Sequence, residues 1–129
     1  MKKDVLLKRV IAFGISFVLT LVLLRLFLYF SPFTNFNLLG YNVHHLYLGA
    51  LLLIVVFVLL MMDILSLVVF IVGGIASSLI IDEWVYLIFT DGSDLSYLMS
   101  VSLFSAIGLG LFVLLFLVLL YFIKMKRVR

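Results

Sequence analysis

HHLYLGALLLIVVFVLLMMDILSLVVFIVGGIASSLIIDE, residues 44–83, contains two apolar runs joined at Asp63, with a His pair opening the first and an Asp-Glu pair closing the second. Each run is long enough to cross a bilayer as a helix, and Asp63 is the single charge between them, so the stretch reads as a transmembrane hairpin with a tight turn. At about 1.5 Å per residue, His44-His45 and Asp82-Glu83 both lie roughly 27 to 29 Å from that turn, near the thickness of the hydrocarbon core. The two pairs are therefore expected to meet at one membrane face.

The composition on either side of the hairpin agrees. The 129 residues are 67% hydrophobic and 12% charged, with a mean hydropathy of +1.46, far from a soluble domain and typical of an integral membrane protein. A first apolar segment at 10–30 follows Lys2, Lys3, Lys8 and Arg9, and Tyr29-Phe30-Ser31-Pro32-Phe33 offers no small-residue cleavage site, so it reads as an uncleaved helix. Residues 31–42, with Pro32 at a helix end and many Asn, Phe and Thr, read as an interfacial loop. Further helices are predicted at 45–62, 64–89 and 95–123. Aromatic residues mark the third helix's exit at 84–89, and Thr90-Asp91-Gly92-Ser93-Asp94 reads as a turn with Ser93 or Asp94 as N-cap.

Eight of the nine Lys and Arg residues lie in the two tails, which places both termini in the cytoplasm and requires an even number of spans. The prediction is an all-α, transmembrane four-helix bundle, N-in and C-in, forming one domain over 1–129 in the cell membrane. Topology accounts for the net charge of +3, so a nucleic-acid partner is not expected and the lipid bilayer is. With no cysteine, a disulfide framework, a thiolate metal site and a cysteine nucleophile are excluded.

Within the spans, chemistry concentrates in few side chains. Arg25 is the one charge inside the first segment, roughly 24 Å beyond Arg9, which brings it to the layer of Asp82 and Glu83 as an ion-pair candidate or a residue snorkelling to headgroups. Asp82 shares a face with Ser78 and Gly74, and Gly73, Gly74, Ser77 and Ser78 form overlapping small-xxx-small patterns, so that face packs inward. Glu83 is rotated by about 100° and is expected to be the less buried, toward lipid or a neighbouring helix. Gly49, one turn after His45, allows another close approach. His44 and His45 diverge on a regular helix, unless His44 lies in the lead-in.

NVHHLYLG at 42–49 and GGIASSLIIDEWVYL at 73–87 resemble an uncharacterised family of small prokaryotic multi-pass membrane proteins. In that family an H-x-H-H-x-x-x-G helix start is followed by a small-residue stretch, an L-D-E-F-x-L-W-L helix end and an acidic aromatic segment. The resemblance covers residues 40 to 97 and implies that His44, His45, Gly49, Asp82 and Glu83 form a linked set. Asn42 replaces the first histidine, and DGSDLSY at 91–97 echoes the acidic segment loosely.

Three readings of the cluster follow. In the first, His44, His45, Asp82 and Glu83 bind a divalent metal such as zinc, iron or manganese; were that centre catalytic, Glu83 or Asp82 would act as general base on metal-bound water, although no catalytic residue is assigned. The second is an accessory subunit that packs through its Gly and Ser faces into a larger membrane complex, its polar cluster locking helix packing. The third is a transporter or channel, which four short spans would build only as a homo-oligomer. A solvated His pair and an Asp-Glu pair among headgroups is the simplest alternative to all three.

Overall fold

In the computed structural model, which describes residues 3–31, 37–38, 41–42, 44–90 and 94–127, the chain is an all-α four-helix bundle. Its long helices are α1 (Lys3–Phe30), α2 (His45–Met61), α3 (Leu67–Phe89) and α5 (Ser100–Arg127), with a one-turn α4 (Asp94–Tyr97) before the last. α1, α3 and α5 are each long and apolar enough to cross a membrane. At 17 residues, α2 is at the lower end of the usual range of about 17 to 25. Between α1 and α2, β1 (Asn37–Leu38) pairs antiparallel with β2 (Tyr41–Asn42), Asn37 opposite Asn42 and Leu38 opposite Tyr41. The remainder of the anticipated loop after Ser31 and the anticipated Ser93 cap lie outside the described residues.

The hairpin turn is built at Asp63, whose φ of 56° is left-handed. Its N–H donates to the Leu60 carbonyl at 3.1 Å, while the Ile64 N–H reaches back to Leu59 at 2.9 Å. Together these bonds close α2 in a Schellman motif, satisfying carbonyls that the helix end would otherwise leave open. Aspartate tolerates the left-handed region better than most side chains. Continuing from that residue, the chain needs an extended lead-in before it is helical again, so α3 starts at Leu67 rather than at 64, with Ser66 in the N-cap position.

Two other boundaries differ from expectation. α1 begins at Lys3, seven residues before the apolar segment, because Lys3, Asp4 and Lys8 project into solvent and Asp4 complements the positive helix start. The expected helix at 95–123 is broken after Tyr97 and resumes at Ser100, running on to Arg127. The break leaves the Tyr97 carbonyl outside a helical ladder, where it accepts from Arg25 Nη1 at 3.2 Å.

α3 is the central helix. It packs against α1, α2 and α5, and α1 also lies on α5. Phe17, Ile81, Val85 and Ala106 form the core cluster, with Phe13, Leu21 and Leu109 packed around it. Glycines set two of the helix spacings. A Cβ at Gly49 would lie 2.9 Å from the Ala76 carbonyl oxygen, and one at Gly74 would overlap Ser16 and the Phe13 carbonyl. The small-residue face of α3 is thus consumed inside the chain, Gly73, Gly74 and Ser78 being buried. Outward faces carry exposed Ile15, Ile54, Phe57 and Leu115, the surface a bundle presents to lipid rather than to water.

Candidate functional site

Asp82 and Glu83, near the C-terminal end of α3, are both buried, at 0% and 2% exposure. A buried carboxylate requires donors, and Asp82 draws them from three helices. Arg25 Nε of α1 donates to Asp82 Oδ1 at 2.5 Å. On Oδ2, the Tyr97 hydroxyl of α4 donates, and His45 Nε2 of α2 lies at 3.2 Å. Burial, reinforced by the adjacent Asp82 charge, pushes the Tyr97 phenol well up from its ordinary value, so the hydroxyl keeps the proton it donates.

Arg25 is held on every side. Its Nη1 donates to Ser102 Oγ at 3.0 Å and its Nη2 faces the Ser102 carbonyl at 3.4 Å, while its Cζ lies 4.2 Å from the centre of the Tyr97 ring. With a side chain 13% exposed, the arginine is an ion-pair partner and not a snorkelling residue.

His44 occupies the N-cap position of α2 with extended backbone (φ −67°, ψ 144°) and no side-chain cap. Being outside the helix, it escapes the divergence of neighbouring helical residues, and both imidazoles address α3. His44 Nδ1 donates to Glu83 Oε1. His45 Nδ1 lies 2.7 Å from Glu83 Oε2, close enough for an ion pair but at an angle that leaves Oε2 without a hydrogen-bond donor among the described residues. Of the two surroundings anticipated for Glu83, lipid or a neighbouring helix, the structure gives the second: His44 and His45 at the start of α2 face it, and at 2% exposure it is nearly as buried as Asp82.

With one nitrogen toward Asp82 and the other toward Glu83, the His45 ring matches an imidazolium bridging two anions. On that assignment the charges of Arg25 and His45 balance those of Asp82 and Glu83. The four anticipated ligands do meet, but among the described residues no group of three or more His, Cys, Asp or Glu side chains is arranged to hold a metal ion. Their ligand atoms face one another, Arg25 and Tyr97 instead of converging on a common point.

Tyr97 and Ser102 are the members that sequence reasoning missed. Both are buried, at 7% and 0%. The available signal was stoichiometric: a buried Asp-Glu pair and an arginine need more partners than two histidines supply. Among the helix-packing residues, Gly49, Gly73, Gly74 and Ser78 are buried while Ser77 is half-buried, and the buried Ser78 Oγ has no hydrogen-bond partner among the described residues.

Compared with protein-family models, with curated proteins and with solved structures, the chain returns no match.

Proposed function

We propose that this chain is a small integral membrane protein of structural or accessory role, with both tails cytoplasmic, whose polar cluster locks the four helices together at the outer membrane boundary. The observation that carries this reading is Asp82, wholly buried and bound at once by Arg25 of α1, His45 of α2 and Tyr97 of α4. A group shared by that many elements fixes their register, since sliding any one helix leaves a charge unpaired in a medium of low dielectric. Nearly every polar atom of the cluster is saturated from within the chain, which suits a lock better than a centre that must exchange water or substrate. The tail charges support the topology.

The small-residue faces are occupied by the chain's own helices, so association with a larger membrane complex would use the outward apolar faces of α1, α2 and α5.

Elemental analysis of untagged protein in lipid nanodiscs, with and without prior supply of zinc, iron and manganese, tests this reading. The expected result is no stoichiometric metal and unchanged unfolding after chelation. Near-stoichiometric metal in the wild type, lost in both His45→Ala and Asp82→Ala, would overturn it and restore the metal reading.

A further inference from the structure

At the opposite end of the bundle, where the tails lie, a cavity of about 360 Å³ opens between α1, α2, α3 and α5. Its walls are hydrocarbon, with Phe13, Val56, Val69 and Leu117 among the lining residues, and Arg9 and Lys124 stand at its end. The volume falls in the range of about 300 to 1,000 Å³ typical of small-molecule sites. An apolar cavity of this size does not hold water stably, because water needs polar partners. In a bilayer the available filling is an acyl chain.

The charge at the mouth selects among lipids. Arg9 is fixed there by donation of Nη2 to the Leu65 carbonyl at 2.7 Å and by its position 5.1 Å over the Phe70 ring. Lys124 is exposed on the facing helix α5. Lys3, Lys8 and Lys126 extend the positive field, against Asp4 and Asp63 at the same end. Basic residues beside a pocket between transmembrane helices recognise anionic headgroups, and each contributes measurably to retention near the membrane surface.

We propose that this cavity seats one acyl chain of an anionic phospholipid, with its phosphate-bearing headgroup at Arg9 and Lys124. The inference rests on membrane residence and is independent of what the cluster around Asp82 does.

Native mass spectrometry of the full chain released from nanodiscs of mixed phosphatidylglycerol and phosphatidylcholine tests it. One phosphatidylglycerol should be retained per chain in preference to phosphatidylcholine. Lys124→Ala, at an exposed position, should lower that retention about fivefold, and Leu117→Trp, which fills the cavity, should abolish it. Equal retention of the two lipids, no retained lipid in the wild type, or retention unchanged by Lys124→Ala would each overturn the proposal. Should Leu117→Trp fail to fold, the comparison of the two lipids and the Lys124 variant still decide.

Discussion

Replacing Asp82 by Asn removes one negative charge and changes almost nothing in shape, which makes it the sharpest probe of the helix lock. Three donors converge on that carboxylate. Interhelical hydrogen bonds within membranes average about 0.6 kcal/mol, so three weakened contacts account for about 2 kcal/mol. The larger effect is the arginine left behind. Arg25 is 13% exposed and cannot carry its charge to the headgroups without leaving Tyr97 and Ser102, and stranding a buried ion costs about 3 to 5 kcal/mol. The stranding cost already contains the lost contacts, so an overall loss of about 3 to 5 kcal/mol is expected for Asp82→Asn. The assay is reversible unfolding in mixed lipid-detergent micelles, read by Trp84, the single tryptophan, which sits half-exposed two residues from the mutated site. The double variant Arg25→Met with Asp82→Leu removes both charges and should regain most of the loss, as buried pairs replaced by apolar side chains commonly do. A single variant within about 0.5 kcal/mol of wild type, or a double variant no better than Asp82→Asn, would refute the reasoning.

Gly74→Ala should destabilise strongly, by more than about 2 kcal/mol, because the added methyl meets the α1 backbone at Phe13, whereas Gly108→Ala, with nothing within 4 Å of its Cβ, should change unfolding by less than about 0.5 kcal/mol. Since the chain has no cysteine, single substitutions report topology: Ser31→Cys should react with a membrane-impermeant maleimide added outside intact cells and Lys126→Cys should react only after permeabilisation, the reverse pattern overturning the orientation. Glu83→Gln should cost about 1 kcal/mol, less than Asp82→Asn, because among the described residues its partners are the two histidines and the His44 side chain is 34% exposed; equal losses would contradict the central place given to Asp82. Because the folded-state value of Tyr97 is raised above its unfolded value of about 10, its share of stability is full below about pH 10 and declines as pH rises further. Tyr97→Phe should flatten that decline in an alkaline unfolding series, and an unaltered slope would remove the phenol from the lock.

How much of the fold is legible in the sequence depends on which residues have a single physical reading. Apolar length placed the long helices, because a continuous apolar run in lipid can pair its backbone N–H and C=O groups within itself only as a helix, and the equal distances of two polar pairs from Asp63 put His44, His45, Asp82 and Glu83 at one level. Arg25 was legible as to depth but not as to fate. Whether an arginine snorkels or pairs depends on which way its helix is rotated, and α1, apolar on all sides, gives no periodicity from which to read that. The start of α3 was misplaced by three residues because the left-handed Asp63 requires an extended lead-in that hydropathy does not register. The break after Tyr97 was invisible for a similar reason: no glycine or proline marks it, and its compensation comes from Arg25, a residue 72 positions away.

That break ties the ionic and the backbone parts of the lock together. A continuous fourth helix would use the Tyr97 carbonyl within its own ladder, and Arg25 would lose an acceptor. By stopping at Tyr97, α4 gives the guanidinium a backbone oxygen below an aromatic face, and the same residue sends its hydroxyl to Asp82. Arg25 and Asp82 are thus held by each other and by a common third residue, which is why neither can be moved alone. It also bears on metal binding. A divalent ion entering a cluster whose ion pairs already balance would add two charges, and relief requires displacing Arg25 from Asp82. The guanidinium would then have to abandon Ser102 and Tyr97 as well. Metal binding and the native helix packing therefore compete for the same carboxylate, so excess zinc should leave the unfolding midpoint unchanged, and a rise in that midpoint with zinc would mean that the carboxylates have a better partner than the chain's own arginine.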